Sequence, residues 1–358
     1  MSATSSPVLR ARGRVALRTA RPPLSTRVDL RVVGVCTGLT LAIAVAFAVS
    51  VSVGDFPIPL VEVLPAIFGY GDPDADFIVR TLRLPRALTG LLVGAAFGLS
   101  GAIFQSLARN PLASPDIIGV TAGAGLVAVA MIVLLASASA FTIALGAFGG
   151  ALAAALAVYL LAYKRGITGY RLILVGIGVT ALLASLTEWL LTRAEIYDAA
   201  RATVWLTGSL NGRGWEHVRP VGIALLVLLP ATLALARPLR ALQLGDDTAR
   251  GLGVRLEPVK LGLVVAGVGL AALATASAGP VAFVALVAPQ ISRRLTNGTG
   301  VSLVPAALTG AALVLLSDLV ATQAFAPVQL PVGVVTAVVG APYLLWLLAR
   351  ANRVGRGG

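Results

Sequence analysis

Few side chains in this sequence have the types and spacing that chemistry requires. One histidine, His217, and one cysteine, Cys36, leave no set of histidine and cysteine ligands for a metal and no thiol pair for a disulfide. Paired aspartates could serve an intramembrane protease, but the topology predicted from the charge pattern puts Asp198 and Asp246 on opposite sides of a membrane. No G-x-x-x-x-G-K-[ST] segment is present to hold the phosphates of ATP. The sequence therefore predicts no catalytic residue, no metal ligand and no cofactor.

A polar segment, residues 237–258, lies between two apolar stretches. Its central part, LGDDTARGLGV, has acidic residues where a helix would begin, an arginine where it would end, and glycines that can close it. The basic residues in and around it place the segment on the cytoplasmic side of a membrane. A short helix that joins two membrane-spanning helices suits contact with a soluble partner. An ordinary surface loop is the alternative interpretation.

Three arginines form a second polar group in the sequence RTLRLPR, which the same topology places outside the membrane. They are Arg80, Arg83 and Arg86. Arginines are unusual on that side, because positive charge favours the cytoplasmic side. They could bind carboxylates of an extracytoplasmic partner, or they could reach lipid phosphates from the membrane interface. The residues alone leave both readings open.

The composition decides which elements must position these groups. Hydrophobic residues make up 58% of the chain and charged residues 12%, against about 25% charged residues in a typical soluble domain. This balance predicts an all-α polytopic membrane protein in contact with lipid. The net charge of +13 is scattered between apolar runs, and no basic stripe alternates with aromatic residues, so nucleic-acid binding is not expected.

About ten transmembrane helices are predicted from apolar runs long enough to cross a bilayer. The first run, residues 32–53, is longer than the apolar core of a usual signal peptide, so it is interpreted as an uncleaved helix. Residues 1–31 are predicted to be a basic flexible cytoplasmic arm, 32–350 the transmembrane domain, and 351–358 a cytoplasmic tail. The predicted helices cover about 32–53, 85–105, 115–136, 141–163, 170–192, 219–236, 259–277, 281–295, 301–320 and 331–349.

Lysine and arginine are roughly threefold more abundant in the predicted inner segments than in the outer ones, which predicts cytoplasmic termini. If the ten helices are divided into two halves of five, the two halves run in opposite directions, as inverted repeats do.

Ser114 and Asp116 are expected to start the third helix around a proline. Glu188 and Asp318 lie near the outer ends of their helices, whereas a secondary carrier usually keeps such groups near the midplane. One face of the second predicted helix is lined by four glycines, which are Gly90, Gly94, Gly98 and Gly101. Because glycine has no side chain, this face is predicted to allow a neighbouring helix to approach closely.

Four blocks of the sequence resemble the FecCD permeases, the membrane subunits of ABC importers for ferric siderophores, haem and vitamin B12. They are RLPRALTGLLVGAAFGLSGAIFQSLARNPLASPDIIGVTAGA, LGDDTARGLGV, AGPVAFVALVAPQISRRL and LPVGVVTAVVGAPYLLWLL. These ordered blocks fall within about three quarters of the chain. VWLTGSLNGRGWE and APQISRRL are most similar to the ferric enterobactin-type subgroup.

The resemblance implies a permease that carries an Fe(III)–siderophore complex across the cytoplasmic membrane of a bacterium, with haem or cobalamin import and a secondary carrier as alternatives. It implies cytosolic ABC ATPase subunits, an extracytoplasmic siderophore-binding protein and a second FecCD-type permease subunit, as a heterodimer rather than a homodimer. Arg83 and Arg86 match arginines that meet glutamates on the binding protein. The residues implied to couple to the ATPase are Leu244, Gly245, Asp246, Asp247, Ala249, Arg250, Gly251, Leu252 and Gly253.

Three positions depart from the wider family pattern. Gln290 stands where a histidine is common, and this fits the enterobactin-type subgroup. Thr322 stands where an arginine is common, and Gln329 where a glutamate is common. The last two differences bear on a third arginine contact to the binding protein and on the pairing that the glutamate makes.

Overall fold

A computed structural model describes residues 8–11, 14–19, 24–54, 56–135, 138–163, 169–298 and 303–354 of the chain. Most of these residues are helical. The helices are α1 (Leu30–Ser52), α2 (Leu60–Phe68), α3 (Pro73–Phe77), α4 (Leu84–Ala108), α5 (Val120–Leu134), α6 (Ala140–Ala162), α7 (Gly169–Arg193), α8 (Ile196–Thr207), α9 (Trp215–Ala234), α10 (Ala236–Gln243), α11 (Asp246–Gly251), α12 (Leu256–Ala278), α13 (Val284–Thr296), α14 (Leu303–Gln323) and α15 (Val332–Val354).

The multi-pass helical fold is confirmed. Each of the ten predicted segments coincides with a helix, namely α1, α4, α5, α6, α7, α9, α12, α13, α14 and α15. Among the described residues, seven helices are long and apolar enough to cross a membrane, and α5 and the Val332–Leu347 part of α15 are shorter apolar helices. The full number of ten crossings and the inverted halves therefore stay predictions.

The centre of the bundle is α4. In its most apolar stretch 78% of the residues are buried, against 11% in α1, so α4 is a core helix and α1 a peripheral one. The predicted glycine face of α4 packs against α14 and α13. A Cβ atom at Gly94 would collide with the backbone of Gly310, and one at Gly101 with the backbone of Ala285. Close approach of these helices therefore requires glycine at both positions.

The amino-terminal segment differs from the expected flexible arm. Its described residues form a three-stranded antiparallel sheet, β1 (Val8–Ala11), β2 (Arg14–Thr19) and β3 (Leu24–Asp29), ordered β1-β2-β3. The sequences RVALRT and LSTRVD intersperse apolar or β-branched residues with polar ones, which favours strands. The expectation for residues 1–7, 12–13 and 20–23 lies outside the described residues.

Residues 56–83 connect α1 to α4 and are largely helical. They contain α2, α3 and a π-helical turn (Ile78–Arg83) that leads without a break into α4. Leu60–Phe68 buries Val63 and Ala66 against the bundle, and Gly69, at φ 79°, ends the helix in the left-handed conformation. Pro59 and Asp72 are the N-cap residues of α2 and α3, and Pro73 lies in the first turn of α3, where proline is tolerated, whereas Pro65 lies inside α2. Asp55 lies outside the described residues.

The start of the third predicted helix is displaced. Ser114 precedes a short 3-10 helix, Pro115–Ile118, and not the long helix itself. Gly119, at φ 77°, interrupts the helical path, and α5 begins at Val120. A left-handed residue cannot continue a right-handed helix, so the predicted start was wrong by five residues at this point. Residues 351–354 of the predicted tail belong to α15, and residues 355–358 lie outside the described residues.

Candidate functional site

The short helix predicted in the polar segment is confirmed as α11. Gly245, at φ 113°, turns the chain between α10 and α11, and the first turn then carries Asp246 and Asp247. Arg250 lies in the last turn, and Gly253, at φ 81°, ends the element. Acidic residues at the first turn and a basic residue at the last turn suit the helix dipole. The local sequence is therefore sufficient to place this helix.

One side of α11 is exposed in the part of the chain that the structure describes. The side chain of Asp247 is 98% exposed and makes an ion pair of 3.0 Å with Arg250. Leu244 and Leu252, at the two ends of the helix, are 66% and 63% exposed. A Cβ atom at Gly251 would meet nothing within 4 Å. This side of α11 therefore exposes two leucines beside an ion pair and a glycine.

The opposite side of α11 is buried. Ala249 is fully buried in the same apolar core as Leu242 of α10 and Leu256 of α12. The expectation that the Ala249 side chain contacts a partner is therefore wrong. Helical periodicity puts Ala249 on the face away from solvent, and its side chain holds α11 against the bundle.

Asp246 also faces the chain itself. Its carboxylate accepts hydrogen bonds from Arg109 Nη2 at 2.5 Å and from Lys260 Nζ at 2.6 Å. Burial raises the pKa of this carboxyl, but the hydrogen bond and charge of Lys260, together with Arg109, lower the pKa by more, so the net shift is downward. Asp246 is therefore a stable carboxylate bound within the chain.

At the other end of the bundle, Arg83 holds the end of α1. Its guanidinium group donates to the backbone oxygens of Val51 at 2.9 Å, Ser52 at 2.8 Å and Phe56 at 2.5 Å. The last carbonyls of a helix have no partner within the helix, so an arginine side chain can satisfy them. Arg83 thus fixes the end of α1 against the start of α4.

Arg86 makes a fork-shaped contact with Asp318 on α14. Its Nε and Nη2 atoms donate to the two carboxylate oxygens at 3.0 and 2.8 Å, and its Nη1 donates to Gln329 Oε1 at 3.0 Å. The Asp318 side chain is only 3% exposed. Arg83 and Arg86 line a cavity of about 310 Å³. Arg80, the third arginine of the group, is exposed, and its backbone oxygen accepts a hydrogen bond from Trp215.

Comparison with known proteins gives a family. The sequence model described as the FecCD transport family matches residues 41–350. The chain belongs to the FecCD transport family. It is 44% identical to the ferric enterobactin transport system permease protein FepG of Escherichia coli (strain K12), with 91% of this chain and 98% of that protein covered. It is 42% identical to the achromobactin transport system permease protein CbrC of Dickeya dadantii (strain 3937), covering 91% and 94%.

The fold of this FecCD chain agrees with a solved structure. It superposes on an inward-facing metal-chelate type ABC transporter with a TM-score of 0.79 and 28% identity, covering 88% of this chain and 99% of the other. The chain is therefore a multi-pass membrane protein with the fold of an ABC permease. Its homologues are transport subunits and not catalytic ones.

In this FecCD chain the Gln290 side chain links two helices. Gln290 Nε2 donates to Gln105 Oε1 at 2.7 Å and to the Pro111 oxygen at 2.8 Å. Arg293 donates to the same Gln105 oxygen at 2.7 Å. The network ties α13 to the end of α4. Sequence reasoning named Gln290 for its difference from the family pattern and missed its partners, which lie far away along the chain.

Sequence reasoning also missed Arg109 and Lys260. Arg109 follows α4 with φ 50°, and a left-handed residue that is not glycine or asparagine is uncommon at a helix end. The sequence RNPL after an apolar helix predicts a helix end, but it does not predict which groups the Arg109 side chain contacts. Lys260 lies near the start of α12, and the local signal is that it is the last charged residue before the long apolar part of that helix.

Proposed function

We propose that this chain is the membrane-spanning permease subunit of an ABC importer for an Fe(III)–siderophore complex. The observation that carries the proposal is the similarity to FepG and CbrC over nearly the whole length of each protein. ATP is hydrolysed on a separate cytosolic subunit, and this chain hydrolyses nothing itself. The importer lies in the cytoplasmic membrane of a bacterium, with both termini of this chain in the cytoplasm.

The working permease contains a second FecCD-type subunit. One chain supplies half of a two-fold pathway, and a different but homologous chain supplies the other half, as a heterodimer. Two ABC ATPase subunits bind on the cytoplasmic side, and a siderophore-binding protein binds outside. Affinity purification through a tag on this chain should recover a distinct permease chain, whereas recovery of self-pairs only would contradict the heterodimer.

The ATPase binds the exposed side of α11. Leu244 and Leu252 provide the apolar contact, and the Asp247–Arg250 ion pair provides a polar one. Gly251 lets the ATPase surface approach the backbone, because no side chain stands there. Support for this assignment comes from the exposure of these groups at the tip of a segment whose other face is anchored in the bundle.

The binding protein contacts the opposite end through Arg83 and Arg86. The hydrogen bonds of Arg86 to described residues use three of its N–H donors, and a guanidinium group has more than three. Asp318 and Gln329 hold the group in one orientation at the mouth of the cavity. A glutamate of the binding protein would then meet a preoriented arginine, which lowers the entropy cost of docking.

A deletion strain tests the function. Growth on limiting iron is measured with a panel of ferric siderophores, with haem and with cobalamin-dependent growth as separate arms, and a plasmid copy of the gene is the control. We expect loss of growth on one class of ferric siderophore. Undiminished uptake of every ferric siderophore would overturn the cargo assignment. Uptake that persists in energised vesicles without the ATPase would indicate a secondary carrier.

A further inference from the structure

Three charged side chains connect the polar segment to two core helices. Arg109 follows α4, Asp246 begins α11, and Lys260 lies on α12. Asp246 accepts from both cations through different carboxylate oxygens, Oδ1 from Arg109 and Oδ2 from Lys260. We call this group the Asp246 bridge. It joins residues 137 and 14 positions apart in the chain.

Arg109 holds two elements at once. Its Nη2 binds Asp246, and its Nε donates to the backbone oxygen of Leu242, the last turn of α10, at 3.0 Å. The residue adopts φ 50°, in the left-handed region where side chains other than glycine and asparagine are disfavoured. An arginine kept in such a conformation points to a use for its side chain. Here that use is to grip the end of α10 and the start of α11 together.

Lys260 is the more deeply placed cation. Its side chain is 14% exposed, against 44% for Arg109. A cation at that depth needs an anionic partner, because desolvation without one is costly. Asp246 supplies that partner, so the position of α11 and the position of α12 are linked through one hydrogen-bonded ion pair.

A cavity of about 290 Å³ lies beside the bridge. Arg109, Asp246 and Lys260 all contribute to its lining, and apolar side chains such as Phe104 and Val264 form part of the rest. On this side α11 is therefore not supported by close-packed side chains alone. The charged contacts of the bridge therefore connect α11 to the end of α4 and to α12, in addition to the packing of Ala249.

We propose that Asp246 is a positioning residue that transmits movement of α11 to α4 and α12, while the neighbouring Asp247 contacts the ATPase. This inference rests on the proposed function of α11 and divides its two adjacent aspartates between two tasks. The Asp246 carboxylate is 39% exposed but is held by two cations of its own chain, whereas Asp247 is 98% exposed and pairs only with Arg250 among the described residues. The bridge converts binding at the surface into motion of the helix bundle.

The sharpest test is Lys260→Gln, because it breaks the bridge without changing any residue of α11. The variant is studied in the complete importer in proteoliposomes, with ATPase co-purification, ATP hydrolysis and siderophore transport measured together. We expect ATPase co-purification at the wild-type level and transport per ATP hydrolysed reduced about tenfold, the size of one strong network coupling. The KM for the loaded binding protein should not change. Glu257→Gln, an exposed charge one turn earlier on α12, is the control and should behave as wild type.

Asp246→Asn and the double variant complete the experiment. If the two residues act as a unit, Asp246→Asn combined with Lys260→Gln is no worse than either change alone. Asp246→Glu keeps the charge and should restore part of the transport. Asp247→Asn should instead reduce ATPase co-purification in a salt-dependent way and leave transport per ATP hydrolysed intact. If Asp246→Asn cannot be purified, Lys260→Gln and Arg109→Gln give the same comparison from the other helices.

The possible outcomes separate this inference from the proposed function. Wild-type transport per ATP hydrolysed in Lys260→Gln would overturn the inference, and so would loss of ATPase co-purification in Asp246→Asn beyond that in Asp247→Asn. If Gly251→Trp, on the exposed side, also leaves co-purification and transport unchanged, then the proposed role of α11 fails as well. If Gly251→Trp acts and Lys260→Gln does not, only the bridge is wrong.

Discussion

The two ends of the bundle assign their charged residues in different ways. At one end, Arg83 and Arg86 are each bound to groups of their own chain, so under the proposed function docking and internal anchoring fall on the same residues. At the other end, α11 divides these tasks between neighbours, with Asp246 bound inward and Asp247 exposed. A change at the first end therefore affects stability and binding together. A change at the second end can affect them separately.

The energetic cost of a substitution differs between the two ends because the partners of the charged residues are buried to different extents. Asp318 is almost completely buried, so removing Arg86 would leave an unpaired carboxylate in a poorly solvated place. The pair Asp247–Arg250 is exposed, and the loss of either member leaves the other in water. Substitutions at the two ends can test this contrast.

We expect Arg86→Ala to destabilise the protein by about 3 kcal/mol, the typical cost of breaking a buried ion pair by removing one partner. Thermal unfolding in detergent, followed by the fraction of monodisperse protein, measures the effect. Adding Asp318→Asn should recover part of the lost stability, because the unpaired charge is removed. A fully stable Arg86→Ala that fails only to bind the binding protein would show that Arg86 is a docking residue without a structural role.

We expect Gly251→Trp to block coupling with the fold intact. A side chain at Gly251 meets no neighbour among the described residues, but under the proposed function it would stand between α11 and the ATPase. A change at the centre of an interface costs about 2 kcal/mol or more, a factor of roughly 30 in affinity. ATPase co-purification measures this loss. Gly34→Trp on α1, where a Cβ atom also meets nothing within 4 Å, is the matched control.

The sequence was sufficient where a feature depends on neighbours along the chain. The apolar runs predicted the long helices, and the acidic start and glycine end predicted α11. The glycines of α4 predicted close packing, and the structure shows their contacts with α13 and α14. Each of these features follows from local spacing, which a single sequence displays.

The sequence was insufficient where a feature depends on how distant elements pack. Asp246 and Asp247 are equivalent in sequence, and only the packing of α11 near Arg109 and Lys260 makes one internal. Ala249 is buried for the same reason. Likewise, Asp318 lies 232 residues from Arg86. Tertiary contacts decide which face of a short helix is buried, and those contacts leave no local pattern in the sequence.

The Asp246 bridge should not respond to pH in the neutral range. The pKa of Asp246 is lowered in the folded chain, so its contribution to stability is complete above the unfolded-state pKa and is lost only as the pH falls through the lower folded-state value. Between about pH 6 and pH 8 the carboxylate stays ionised. Transport per ATP hydrolysed, measured in proteoliposomes over this range, should therefore show no step that Asp246→Asn removes. Such a step would contradict the ionised bridge.

The smallest effect is expected for Arg250→Glu on the exposed side of α11. The Arg250 side chain is 64% exposed and its described partner, Asp247, lies in the same helix. An exposed ion pair contributes about 0.2–1 kcal/mol and is screened by salt. The variant should therefore reduce ATPase co-purification slightly at low ionic strength and not at high ionic strength, with stability close to wild type. Because Gly251→Trp changes shape and not charge, its effect should persist in salt. If the two variants showed the same salt dependence, charge rather than close surface contact would hold the ATPase at α11. If Arg250→Glu unfolded the protein, this side of α11 would not be an exposed surface, and the contrast with the end of the bundle that carries Arg83 and Arg86 would be lost.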